Sequence, residues 1–218
     1  MSPTQAPSPS PSDTIPTLGN DETLVAGTYR LARSVVGVKY PSITLTVPDG
    51  WHGGGWLVNR PRGDEVPPVS VQFWNVDQVY RHPCRAANLF NPGPTVDDLA
   101  QALVEVPLRN ATQPIDVTLD GYAGKYLEWS VPADIEMDAD GSFPDCDPAA
   151  DGTRYFHSWT GRGAASGRYQ QGPGQLDRVW IIDVDGSRLV IDAFSMPYAT
   201  SDEIEDLGEV VESIRFER

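Results

Sequence analysis

Glycine and proline cut this chain into short pieces, and most of the pieces are rich in strand formers. The 218 residues contain 20 Gly and 20 Pro. Proline deletes a helical hydrogen bond and clashes with the preceding turn, and glycine adds backbone freedom that a helix must lose. A helical bundle is therefore excluded. Between the breaks, Ser42–Val47 alternates and is β-branched, which predicts a strand closed by the turn Pro48-Asp49-Gly50. Gly55–Arg60 reads as a short second strand and Val69–Tyr80 as a longer third. Ile115–Leu119 and Tyr126–Val131 flank Asp120-Gly121, and Tyr155–Trp159 is a further run. The strongest hairpin signal is Asp185-Gly186 between Val179–Val184 and Arg188–Phe194.

Two segments carry helical spacing instead. Thr95 is an N-cap with Asp98 three residues on, followed by Val96, Leu99, Ala100 and Leu103 on one face. Thr200 with Glu203 makes a capping box ahead of Ile204, Leu207, Val210, Val211 and Ile214 over Asp202–Ser213. Ile214–Glu217 ends the chain as an edge strand. The expected fold is α+β: an antiparallel sheet of about seven short strands covered by two amphipathic helices, since an apolar helical stripe needs a sheet to lie on.

Residues 1–18 are mostly Pro, Ser and Thr, without apolar periodicity. Such composition cannot offset the entropy of ordering and favours extended spacers. The expected organisation is a disordered stalk over residues 1–22 and one globular domain over 23–218. No apolar span precedes the stalk in this chain; a membrane anchor upstream of Met1 is the expectation, and a natively soluble protein is the other reading. Sixteen basic against 31 acidic residues leave a net charge of -15. That field repels nucleic-acid phosphates and anionic membrane surfaces, so neither is an expected partner.

Cys84 and Cys146 are too far apart for a C-x-x-C redox or zinc motif. They read as one disulfide in an oxidising, extracytoplasmic compartment. Two free thiols are the other reading.

Several motifs suggest chemistry. His52-Gly53-Gly54-Gly55 has the form of an esterase oxyanion stretch, but no G-x-S-x-G elbow accompanies it. Gly161 to Gly167 falls one glycine short of a dinucleotide loop, and no helix follows to receive a phosphate. The acidic run from Asp134 to Asp151 has seven carboxylates and no Lys or Arg. Within it Glu136, Asp138, Asp140, Gly141 and Asp147 fall at positions one, three, five, six and twelve of a calcium loop, although Glu replaces Asp at the first. Calcium binding and a solvated acidic loop are both open readings; no other cofactor is indicated. Trp51, Trp56 and Trp159 border glycine-rich loops, where exposed rings could line a ligand site. His52, His82 and His157 are the only histidines, and no local spacing pairs them with carboxylates.

From Gly27 onward the chain resembles a family of uncharacterised actinobacterial extracytoplasmic domains, usually held by one N-terminal membrane segment. The likeness lies in Val47-Pro48-Asp49-Gly50-Trp51, Val79-Tyr80-Arg81-His82-Pro83-Cys84, Thr95-Val96-Asp97-Asp98-Leu99, Val117 to Gly124, Gln171-Gly172-Pro173-Gly174 and Asp183-Val184-Asp185-Gly186. Val210-Val211-Glu212-Ser213-Ile214 also resembles the last helix of PsbP/Mog1-like and related lipoprotein domains. That group consists mainly of binding or assembly modules, and no active site transfers from it. The expected function is a non-catalytic extracytoplasmic binding or sensor domain at the cell envelope, for an envelope ligand or protein. The rival expectation is a secreted hydrolase in which His52 or His157 meets two carboxylates, or in which a metal is bound.

Overall fold

Left-handed turn residues and two capped helices organise the chain, and the computed structural model describes residues 14–32, 40–63, 65–162 and 167–217. The first strands are β1 (Asn20–Thr23), β2 (Gly27–Arg30), β3 (Ser42–Val47), β4 (His52–Gly54) and β5 (Leu57–Asn59). They are followed by β6 (Val69–Trp74), β7 (Val76–Tyr80), β8 (Leu89–Phe90) and helix α1 (Val96–Val104). Next come β9 (Ile115–Leu119), β10 (Tyr122–Ser130), β11 (His157–Gly161) and β12 (Gly167–Tyr169). The hairpin β13 (Leu176–Val184) and β14 (Ser187–Ser195), helix α2 (Ser201–Glu212) and β15 (Arg215–Glu217) complete the order.

These strands build three antiparallel sheets, where a single sheet of about seven strands was expected. The central sheet has eight strands in the order β1-β4-β5-β6-β14-β13-β10-β9. A four-stranded sheet runs β12-β11-β7-β8, and a three-stranded sheet β15-β3-β2. The β13–β14 hairpin is paired throughout, from Val184↔Ser187 to Leu176↔Ser195. Asp185 and Gly186 turn it with φ of 52° and 79°, the left-handed pair whose twist suits a hairpin.

Both faces of the central sheet are buried. On one, Phe73, Ile182, Leu189 and Ile191 join Ile43 and Leu45 of β3 and Leu207, Val210 and Val211 of α2. On the other, Trp129, Val179, Ile181 and Val190 join Leu99 and Leu103 of α1 and Val79 and Trp159 of the four-stranded sheet. Neighbouring residues of a strand point to opposite faces, so Val190 and Ile191 serve different cores. The helices therefore cover opposite faces instead of sharing one. The coarse class stands: mostly antiparallel β with two helices, among the described residues. Each helix has its capping box, Thr95 with Asp98 and Thr200 with Glu203.

Val69–Tyr80 does not form one strand. It breaks at Asn75, whose carbonyl accepts from the Arg162 N–H at 2.7 Å. Upstream, β6 pairs with β14 in the central sheet; downstream, β7 pairs with β11 in the four-stranded one. The boundary expected at residue 22 also moves. Leu18 is buried, its N–H donates to the Arg30 carbonyl, and β1 pairs with β4. Residues 1–13 lie outside the described residues. Arg30 then joins the two ends of the described chain, donating to the Ile15 carbonyl at 3.5 Å and to Glu217 Oε1 at 2.7 Å.

Cys84 and Cys146 are bonded, with alpha carbons 4.1 Å apart. Around them Val131, Phe143 and Phe156 make a third, smaller core under the acidic loop. Among the described residues no helix is long and apolar enough to cross a membrane.

Candidate functional site

Two clefts meet where the start of α1 crosses the β13–β14 turn. The larger, about 470 Å³, is lined by Gly124 and Lys125 of β10, Asp116 of β9, Thr95, Asp97 and Asp183. The smaller, about 280 Å³, is lined by Tyr40, Asn75, Asp77, Asn91 and Arg162. Pro94, Gly186 and Arg188 belong to both. The larger volume falls in the range of small-molecule sites, which favour rigid walls with a few polar groups aimed inward.

Each wall has a local cause. Gly124 is required because a Cβ there would stand 2.3 Å from the Ile181 carbonyl oxygen, so only glycine lets β10 approach β13 at this point. Beside it, Lys125 Nζ donates to Asp116 Oδ1 at 2.6 Å and lies 3.3 Å from Asp97 Oδ1. The bond to Asp116, then that to Asp97, raises the lysine pKa and keeps it charged. Arg188 forms the partition. Its Nη1 donates to the carbonyls of Gly93 at 2.7 Å and Thr95 at 3.1 Å, and its Nη2 to that of Val76 at 3.1 Å. The guanidinium thereby fastens the loop before α1 to the start of β7. Burial lowers its pKa. Arg162 projects into the smaller cleft, 67% exposed and 3.3 Å from Asp77.

A second polar assembly lies inside the molecule. Arg168 of β12 donates from Nε to Asp192 Oδ2 at 2.7 Å and from Nη2 to Asp177 Oδ1 at 3.0 Å. Gln175 Nε2 also donates to Asp177, at 2.6 Å. Burial first, and then the neighbouring Asp192, pushes the Asp177 carboxyl up to about 7. Arg109 donates from Nη2 to the His157 carbonyl and Ser158 Oγ, both at 2.7 Å. Its guanidinium lies 4.5 Å from the Trp129 ring centroid and 4.6 Å from that of Phe156. Burial lowers its pKa to about 9. Arg168 fastens β12 of the four-stranded sheet to β13 and β14, and Arg109 fastens the loop after α1 to β11.

The residues singled out in the sequence go elsewhere. Trp51 and Trp159 are fully buried, one in each main core, and have no face left for a ligand. Trp56 is half-buried, edge-on to Trp74 at 4.7 Å between ring centroids. The tryptophan platform is therefore replaced by core packing. Glu136 and Asp138 are exposed, Asp140 accepts from the Ser142 N–H, and Asp147 pairs with Arg85 at 2.7 Å. Among the described residues, no three His, Cys, Asp or Glu gather as a metal ligand set. The glycines after His52 belong to β4, where Gly53 packs under Leu18 and Leu24. Residues 163–166 of the near-dinucleotide loop lie outside the described residues.

Among the described residues, the histidines do not converge on carboxylate pairs. His52 Nε2 is 2.8 Å from Thr23 Oγ1, and its Nδ1 is 4.0 Å from Asp21. His82 Nδ1 accepts from the Cys84 N–H. His157 stacks on Tyr80 with ring centroids 4.4 Å apart, and burial followed by the Arg109 charge lowers its pKa.

The clefts escaped sequence reading because their residues come from distant segments. The buried network had one faint signal: Asp192 interrupts Leu189-Val190-Ile191-Asp192-Ala193-Phe194, an otherwise apolar run. In comparisons with known proteins, neither a family model nor a curated protein matches this chain.

Proposed function

We propose that this chain is a non-catalytic binding or sensor domain that works outside the cytoplasm, at the cell envelope, and holds a small polar ligand in the paired clefts. The observation that carries the reading is the cleft pair partitioned by Arg188, with Lys125 fixed on one side and Arg162 on the other. Its walls are strands and a capped helix, the preorganised setting that binding sites use. The disulfide supports an oxidising compartment. The Pro/Ser-rich start of the chain suits a spacer, and the family resemblance implies a membrane anchor ahead of it. Neither His52 nor His157 has two carboxylates within ion-pair reach among the described residues, and the hydrolase reading gains no support.

The test is a ¹⁵N-resolved titration against envelope sugars, amino acids and short peptides, with parallel assays on generic ester, amide and glycoside substrates. A ligand that moves the amides of Thr95, Gly124 and Gly186 without turnover is the expected result. Turnover abolished by His52→Ala or His157→Ala would replace the binding reading with the hydrolase one.

A further inference from the structure

We infer that the cleft pair takes a dipolar ligand, a short free peptide, with its ammonium in the larger cleft and its carboxylate in the smaller. This rests on the clefts being the binding site, and it adds the chemistry of what they bind.

The two sides differ in charge. The larger cleft sets the carboxylates of Asp97, Asp116 and Asp183 against Lys125 and the shared Arg188, which leaves the carboxylates in excess. The Asp97 and Asp116 side chains are 79% and 89% exposed, so they keep capacity for a second cation beside Lys125. In the smaller cleft the balance reverses: Arg162 and Arg188 face one carboxylate, Asp77. Burial is the main influence lowering the Arg188 pKa; Tyr40 and Asp98 raise it, the Arg162 guanidinium then lowers it, and Asp77 raises it last. Among the described residues no carboxylate is within ion-pair distance of Arg188; its bonds go to three neutral carbonyls, which satisfy its donors without cancelling its charge. An anion placed between the arginines relieves their mutual repulsion. Asn75 and Asn91 add amide groups to the same wall.

Whole-molecule charge narrows the choice. A net charge of -15 repels a simple anion, so the arginine pair alone recruits one poorly. A simple cation gains nothing from the arginines. A ligand carrying both charges is attracted at both ends and has no net charge for the overall field to oppose. A peptide backbone between those ends would cross the partition at Gly186 and Pro94, beside the main chain.

Trialanine is the probe, with N-acetyl-trialanine, trialanine amide and N-acetylglucosamine as comparisons. In ¹⁵N titrations of the whole chain, trialanine moves the amides of Gly124 and Asn75 together, and either cap weakens binding at least tenfold. Arg162→Ala, a change at an exposed side chain, weakens trialanine about tenfold and leaves the amide form unaffected. Equal binding of capped and uncapped peptides overturns the inference. N-acetylglucosamine moving these amides while the peptides do not would also overturn it, yet keep the clefts as the binding site. No response to any probe at millimolar concentration sinks the dipolar assignment and the reading beneath it.

Discussion

Asp177 and Asp192 share one arginine in the interior, and the consequence is a stability that depends on pH. A carboxyl with a raised folded-state pKa binds its proton more tightly folded than unfolded. Its contribution is complete below the unfolded value, about 4, and is lost as pH rises to the folded value. For Asp177 that window ends at about 7. Asp177→Asn removes the titration while keeping an oxygen for Arg168 and Gln175. Relative to the wild type, the variant therefore gains stability between pH 5 and pH 8, by on the order of 2 kcal/mol. Urea midpoints of both proteins across that range check it; parallel curves would show that Asp177 is ionised throughout. Apart from the apolar run that Asp192 interrupts, nothing near these residues in sequence announced their burial, because an aspartate at a strand position ordinarily marks the solvent face. Arg109 was hidden in the same way, in a loop, with its guanidinium between two rings.

Secondary structure was legible where local chemistry decides it. The Asp185-Gly186 hairpin and both capping boxes form where the turn and cap residues place them. Loss of the Thr95 hydroxyl in Thr95→Ala is expected to cost about 1 kcal/mol by chemical denaturation. The break at Asn75 was not legible, because strand-forming residues continue on both sides and only the change of partner separates β6 from β7. β1 and β2 were also missed: β1 (NDET) is short and polar, and it pairs through backbone groups that composition does not reveal. Gly124 shows how strictly two elements can depend on one position. In Gly124→Ala the new methyl meets the Ile181 carbonyl oxygen at 2.3 Å. Strands β10 and β13 must then separate, and a loss of about 2 kcal/mol or more is expected. An unchanged melting temperature would mean that the strands yield freely there.

At the scale of the molecule, two buried faces, one small satellite core and one disulfide account for the architecture. The three-sheet arrangement could not be read in advance, since residues that alternate by face carry no label saying which sheet will cover them. The Cys84–Cys146 link spans 62 residues, a loop that in the chain-entropy treatment adds about 4 kcal/mol. It joins the satellite core to the segment after β7, so the double variant Cys84→Ser, Cys146→Ser is expected to lose about that amount in equilibrium unfolding. A loss below 1 kcal/mol would show that Phe143 and Phe156 hold the loop without it.

Arg30 holds Ile15 and Glu217 with one guanidinium, which makes the two ends of the described chain mechanically neighbours. A pull from the N-terminal side meets first the main-chain bonds of residues 16–18 to Arg30, and through the Arg30 side chain the last strand shares the load. Beyond those bonds it reaches β1, the edge strand of the eight-stranded sheet that lies farthest in the strand order from β10 and β9 at the larger cleft. A load at this end is thus taken up along one sheet edge before it reaches the strands around the clefts.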